Sequence, residues 1–187
     1  MAQQSPAARL PLIGERVRLT ALQEADQELL QPFFQDMASL TYYIPTTARP
    51  LNGRQLRALL DDWNDGLENF VFAVRTDSRL IGLVNLDGLD WPNSHVELGV
   101  ALTDPEARGQ GLASEALRLL LDFCFAELGL HRVWARIIEG NGPSVRLFES
   151  LGFSREGVLR EHVRRSDRFR DMLIFSLLRP EWDASKP

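Results

Sequence analysis

The sequence predicts one α/β domain built on a mixed, mostly antiparallel sheet of about seven strands, with helices on both faces. Three observations predict it. The 187 residues are 44% hydrophobic and 25% charged, which suits a single globular core. Seven short apolar or alternating runs are interleaved with runs at helical spacing. A strand–helix–strand crossover over residues 96–138 makes its two strands parallel neighbours, while shorter connections give the earlier strands an antiparallel meander.

Residues 1–10 and 183–187 read as tails on a single domain of residues 11–182. Arg16–Leu22 alternates as a strand does, and Glu24–Leu40 carries helix-spaced apolar residues. Tyr42–Pro50, with its prolines and threonines, reads as loop. Asn52 caps a helix to Asn64 that sets Leu56, Leu59, Leu60 and Trp63 on one side. Phe70–Val74 and Leu80–Leu86 are strands joined by a Thr76-Asp77-Ser78 turn. The Asp90–Ser94 loop precedes strand Val96–Leu102. Helix Ser114–Leu128 repeats Ala116, Leu117, Leu120, Leu121, Cys124 and Leu128, and Gly129 ends it as a left-handed cap. Val133–Ile138 is a strand and Pro143–Leu151 a short helix closed by Gly152. Val158–Val163 and Met172–Leu178 finish as strands around a charged turn.

A net charge of −5 argues against bulk nucleic-acid or anionic-membrane binding and leans toward cationic acceptors. The lone Cys124 excludes an internal disulfide, suits a reducing compartment and reads as a packed thiol. His95, His131 and His162 lack metal-ligand spacing, so no metal is expected. Neither a signal peptide nor a bilayer-spanning run is visible, which makes the cytoplasm the expected location. The basic concentration Arg155, Arg160, Arg164, Arg165, Arg168 and Arg170 is interleaved with Glu156, Glu161, Asp167 and Asp171. It reads as a solvated hairpin, without the interleaved aromatics of a nucleic-acid platform.

The most informative segment is Arg108-Gly109-Gln110-Gly111-Leu112-Ala113, opening the helix at Ser114. Two glycines at a helix mouth leave backbone N–H groups bare, with the positive end of the helix dipole behind them. That is an anion cradle, suited to a phosphorylated ligand. A Walker loop would need Lys and Ser or Thr after its last glycine, where Leu112-Ala113 stands. Gly109, Gly111 and Ser114, with Glu139 ending the next strand, mimic a dinucleotide fingerprint. The long connection from Thr103 to Arg108 and the single crossover count against it.

Arg108-x-x-Gly111-x-Ala113 resembles the loop of the GNAT superfamily of N-acetyltransferases. The likeness extends through Glu97-Leu98-Gly99, Asn141-x-x-Ser144, Leu151-Gly152-Phe153, Glu156–Arg160 and Phe169-Arg170-Asp171. It is similar to the branch of ribosomal-protein N-terminal and polyamine acetyltransferases, over roughly Glu15 to Trp182. The resemblance implies acetyl-CoA as co-substrate and a central parallel strand pair that splays. It places Arg108, Gly109, Gln110, Gly111, Leu112, Ala113 and Ser114 at the pyrophosphate. Ala101, Leu102 and Thr103 would line the pantetheine arm, with Asn141 and Ser144 beside it; Asn141-Gly142 also reads as the turn before a helix.

Transfer to an amine needs a base, since an alkyl ammonium has a pKa of about 10.4. Glu97 matches the superfamily glutamate used so, and alternation puts His95 on the same face as a substitute. Phe148 stands where many relatives carry a tyrosine acid, which leaves Ser144, one turn earlier, as the replacement. Tyr42, Tyr43, Trp63, Asp87, Asp90 and Trp91, from the variable half, would form the acceptor pocket. No nucleophile is apparent, so direct transfer in a ternary complex is expected. The acceptor stays open among a protein N-terminus, a polyamine, an amino acid and an antibiotic amine, and a homodimer would be unsurprising. The rivals are a non-catalytic acyl-CoA sensor and, more remotely, a nicotinamide-dependent oxidoreductase.

Overall fold

A computed structural model describes residues 12–44, 46–77 and 79–185. The tail read at residues 1–10 lies outside them, as does Ser78 of the β-turn. Seven strands form one sheet in the order β1-β2-β3-β4-β5-β7-β6, antiparallel except for β4 and β5. They are β1 (Arg18–Ala21), β2 (Phe70–Thr76), β3 (Arg79–Asp90), β4 (His95–Leu102), β5 (Arg132–Ile138), β6 (Ser154–Arg165) and β7 (Arg168–Leu178). The helices are α1 (Asp26–Gln35), α2 (Met37–Tyr43), α3 (Gly53–Asp62), α4 (Leu112–Asp122), α5 (Gly142–Ser150) and α6 (Arg179–Ala184).

Alternation divides the core. Val96 and Leu98 of β4 and Val133, Ala135 and Ile137 of β5 pack with Leu117, Leu120 and Leu121 of α4. The opposite face takes α1–α3, through Leu30, Phe34, Leu40, Leu56 and Leu60 against Val71, Ala73 and Leu83.

Several boundaries differ from the sequence reading. The helix expected over Glu24–Leu40 is two helices, because Asp36 turns extended (φ −88°, ψ 111°). Its carboxylate caps α2, accepting from Ala38 N (3.2 Å) and Ser39 N (2.9 Å). That second helix runs to Tyr43, into the stretch read as loop. Asn52 does cap α3, in a reciprocal capping box with Gln55. α4 begins two residues early at Leu112 and widens into a π turn over Phe123–Glu127 before Gly129 at φ +66°. β6 and β7 outrun their apolar centres, since hairpin pairing carries polar ends; β6 bulges between Leu159 and Val163. Residues 183–184, read as tail, belong to α6, which Glu181 caps by accepting from Leu178 N at 2.8 Å.

Candidate active site

β4 and β5 are in register at only three positions, His95 with Arg132, Val96 with Val133 and Glu97 with Trp134. Beyond Glu97 the two diverge, and the β5-facing edge of β4 from Leu98 to Leu102 has no partner strand. β4 stays fully paired to β3 over the same span, so its free edge is held rigidly.

The glycine loop lies at the far end of β4. Gly109 (φ +72°) and Gly111 (φ +77°) take left-handed conformations that disfavour other residues, and Arg108 to Gly111 are exposed. No side chain caps α4, so the N–H groups of Leu112, Ala113 and Ser114 start the helix without a capping acceptor. Leu112 anchors the turn in the core. Arg16 adds a cation that the sequence reading missed: its Nη1 donates to Gln110 O (3.0 Å) and its Nε to Glu115 Oε2 (2.9 Å). Glu115 is thereby committed, also accepting from the N–H groups of Arg16 (2.7 Å) and Val17 (3.2 Å).

Two expected contacts turn inward. Arg108 Nε and Nη2 donate to Leu102 O at 3.2 and 3.0 Å, folding the loop back onto β4. Thr103 N–H donates to Ile81 O (3.0 Å), and the Ala101 side chain is buried toward α1–α3. Leu102 O and Thr103 N are thus used by the protein itself.

At the vertex of the splay stands Glu97, its side chain 13% exposed and on the face opposite Val96 and Leu98. Arg136 Nε donates to Glu97 Oε1 at 2.8 Å, reaching from β5 across to β4. Burial raises the Glu97 pKa above the ordinary carboxylate range. The Arg136 hydrogen bond and charge oppose the rise, and Asp87, its register partner on β3, adds to it. The Arg136 pKa rises through the same hydrogen bond. Arg136 also lies 5.8 Å from the Trp134 ring centre. On β3, Asn85 faces Gly99, where a Cβ would come within 2.3 Å of Asn85 Oδ1.

His95 shares the Glu97 face, as alternation predicts; its Nε2 lies 3.7 Å from Asp90 Oδ2. Asn141 caps α5, its Oδ1 accepting from Ser144 N (3.3 Å), so the turn reading holds at that pair. Ser144 sits in the first turn of α5, and no hydrogen bond joins it to Glu97 among the described residues. Phe148 is 3% exposed and meets Phe153 edge-on at 5.0 Å, a core position rather than a cleft one.

The acceptor candidates divide. Trp63 packs on Phe34 (6.3 Å) and Tyr43 (5.8 Å) in the α1–α3 core. Tyr43 joins that cluster, its hydroxyl reaching Asn85 Oδ1 at 3.5 Å, and burial pushes its phenol well up. Asp90 closes the β3–β4 turn by accepting from Asn93 N (2.9 Å) and Nδ2 (2.8 Å), and Trp91 is 52% exposed there. Among the described residues, no hydrogen bond or ring contact engages the side chain of Asp87, Tyr42 or Trp91; Asp87 lies next to Glu97 and Tyr42 over Gly140. The arginine-rich hairpin is not wholly solvated. Arg165 is 8% exposed and donates to Thr41 O (2.7 Å), Ile44 O and Arg164 O (3.0 Å), pinning the end of α2. Among the described residues, no group of His, Cys, Asp and Glu could hold a metal, and no helix is long and apolar enough to cross a membrane.

Arg136 was missed because a charge inside a strand carries no motif. One signal was available: Arg132, Trp134 and Arg136 alternate with Val133, Ala135 and Ile137. A polar face on a strand flanked on both sides points to a site.

The family model for the acetyltransferase (GNAT) domain matches residues 16–154. An uncharacterized N-acetyltransferase, p20, of Bacillus licheniformis is 30% identical over 91% of this chain and 97% of its own. Spermidine N(1)-acetyltransferase of Vibrio cholerae is 28% identical over 64% of this chain and 68% of its own. The crystal structure of Vibrio cholerae spermidine N-acetyltransferase in complex with CoA and spermine shares the fold. Its TM-score is 0.81 at 24% identity, over 89% of this chain and 98% of that one.

Proposed function

We propose that this chain, which belongs to the acetyltransferase (GNAT) domain family, moves the acetyl group of acetyl-CoA to a primary amine by direct transfer, with Glu97 as base. One observation carries the reading: the splay of β4 from β5 opens at Glu97 and ends at an exposed, uncapped helix mouth. Those two features lie on one continuous edge.

The residues present suit such a co-substrate. The amides of Gly109 to Ser114, with the α4 dipole and Arg16, would hold the pyrophosphate. The free edge of β4 would bond the pantetheine amides as a strand would, with the Asn141 amide on the opposite side. When bound, acetyl-CoA supplies an activated acyl carbon and a thiolate leaving group.

The chain supplies the rest. Glu97 Oε1 is engaged by Arg136, which leaves Oε2 to take a proton from the incoming ammonium, directly or through water. N–H groups on the unpaired β4 edge can donate to the developing oxyanion. Ser144, at the head of α5, would protonate the departing sulfur. His95, two residues from Glu97 on the same face, is the alternative base. Asp87 adds negative charge that favours an approaching cation. The family match and the named relatives do not favour the sensor or oxidoreductase readings.

The test is CoA release from acetyl-CoA with a panel of peptides, polyamines and amino acids. Turnover is expected, and Glu97→Gln should lower kcat by about 10²–10⁴-fold. Stabilisation by acetyl-CoA without release on any amine would leave a binding module instead.

A further inference from the structure

Two buried side-chain polar atoms lack a hydrogen-bond partner among the described residues, His95 Nδ1 and Arg170 Nε. Buried polar atoms without partners are rare in proteins, and each calls for an explanation; Arg170 Nε, always a donor, calls for an acceptor. Arg170 lies on β7, alternating with Met172, Ile174 and Ser176, on the sheet face that carries Arg136 and Glu97. It makes no ion pair among the described residues, although the same hairpin holds several acids.

What surrounds Arg170 forms a shape. Gly140, between β5 and α5, has φ +93°, and a Cβ there would come within 3.1 Å of Arg170 Nη1 and 3.2 Å of the Tyr42 hydroxyl. Three separate elements thus converge on a spot that glycine keeps bare: α2, β7 and the β5–α5 connection. Arg165 fixes the end of α2, and with it Tyr42, through the carbonyls of Thr41 and Ile44. A guanidinium and a phenol aimed at one point make a corner for an anion.

Register gives its distance from the chemistry. Ile174 pairs with Arg136, and Arg170 lies four residues further along β7, about 13 Å at ~3.3 Å per residue. The carboxylate of a free amino acid lies too close to its own amine to span that gap. An extended peptide, advancing ~3.3–3.6 Å per residue, spans it within a few residues. A polycation would meet the charge of Arg170 unfavourably.

We propose that Tyr42 and Arg170 recognise an acidic side chain a few residues from the amine of a peptide acceptor. This rests on the reading of Glu97 as the base that receives that amine. The experiment uses the full chain, acetyl-CoA and pentapeptide amides with N-terminal alanine, in which glutamate or its glutamine twin occupies positions two to five. CoA release should show one register where glutamate exceeds glutamine by about tenfold in kcat/KM, mostly through KM. Arg170→Gln should equalise the twins, Arg170→Lys should keep part of the preference, and Tyr42→Phe should reduce it. Circular dichroism of each variant checks the fold. Twins used alike at every register, or a preference that survives Arg170→Gln, overturns the proposal. So does a loss confined to the KM of acetyl-CoA, which would give the corner to the donor. Release with spermidine but with none of the peptides overturns it while amine transfer stands. Release with nothing overturns the transfer reading itself.

Discussion

Arg136, two residues beyond the last backbone pairing of β4 and β5, donates a 2.8 Å hydrogen bond to Glu97, which belongs to that last pair. The bond opposes the effect of burial on Glu97, whose pKa still stands above the usual range. Removing the guanidinium leaves burial and Asp87 unopposed, so the carboxyl would hold its proton to higher pH. Arg136→Met is therefore expected to move the acid limb of kcat/KM against pH upward, with Arg136→Lys moving it less. A profile that falls in amplitude without shifting would remove Arg136 from any role in setting the base.

Acetyl-CoA at about 100 times its Kd should stabilise the chain by ~2.7 kcal/mol, raising Tm by roughly 5–10 °C. Gly111→Glu places bulk and negative charge in the cradle and forces a side chain into φ +77°. The ligand-induced rise should vanish in that variant. Differential scanning fluorimetry with and without acetyl-CoA reads it, and an undiminished rise would show that the anion binds elsewhere.

Phe148→Tyr supplies the hydroxyl that the family resemblance leads one to expect at this position, but here it would bury it against Phe153. An unpaired buried polar group costs about 1–3 kcal/mol. The variant should melt earlier without gaining kcat, whereas Ser144→Ala should lower kcat by about 10²-fold. A rise in kcat for Phe148→Tyr would show that the position reaches the sulfur after all.

Acid stability follows from two carboxylates. Arg132 donates to both oxygens of Glu156 (2.7 and 2.5 Å), holding its pKa down at about 2. The backbone N–H groups of Leu67, Asn69 and Glu68 hold Asp65 at about 2. Folded values below unfolded ones stabilise above pH ~4.5, and that contribution drains away as pH falls toward 2. Urea midpoints should thus drop steeply over this window, and less steeply in Glu156→Gln. Equal slopes for the two proteins would mean the Arg132 pair has no bearing on acid unfolding.

Local chemistry was legible where backbone rules apply alone. The glycines of the cradle, the Asn52 cap and the Gly129 terminus are each dictated by φ or by capping, and each stands where it was read. The break at Asp36 was hidden because apolar spacing continues across it, and only the short side chain before Met37 marks the cap. Arg136 and Arg170 were only half legible. Alternation sets Arg136 apart from the apolar face of β5, and Arg170 sits in a motif, but the partners of both come from strands far away in sequence and cannot be read locally. Trp63 and Phe148 show the converse, aromatics whose place in the core depends on which helix packs on which face.

The three-residue junction between β4 and β5 makes the molecule a book with a very short spine. Its leaves, β1–β4 and β5–β7, are bound together mainly by the apolar layer beneath α4 and α5 rather than by the ladder. A guest slipped between them would serve as the missing stitching. Filling the gap would bridge the two leaves where the ladder does not, and would leave intact the pairs that hold each page flat.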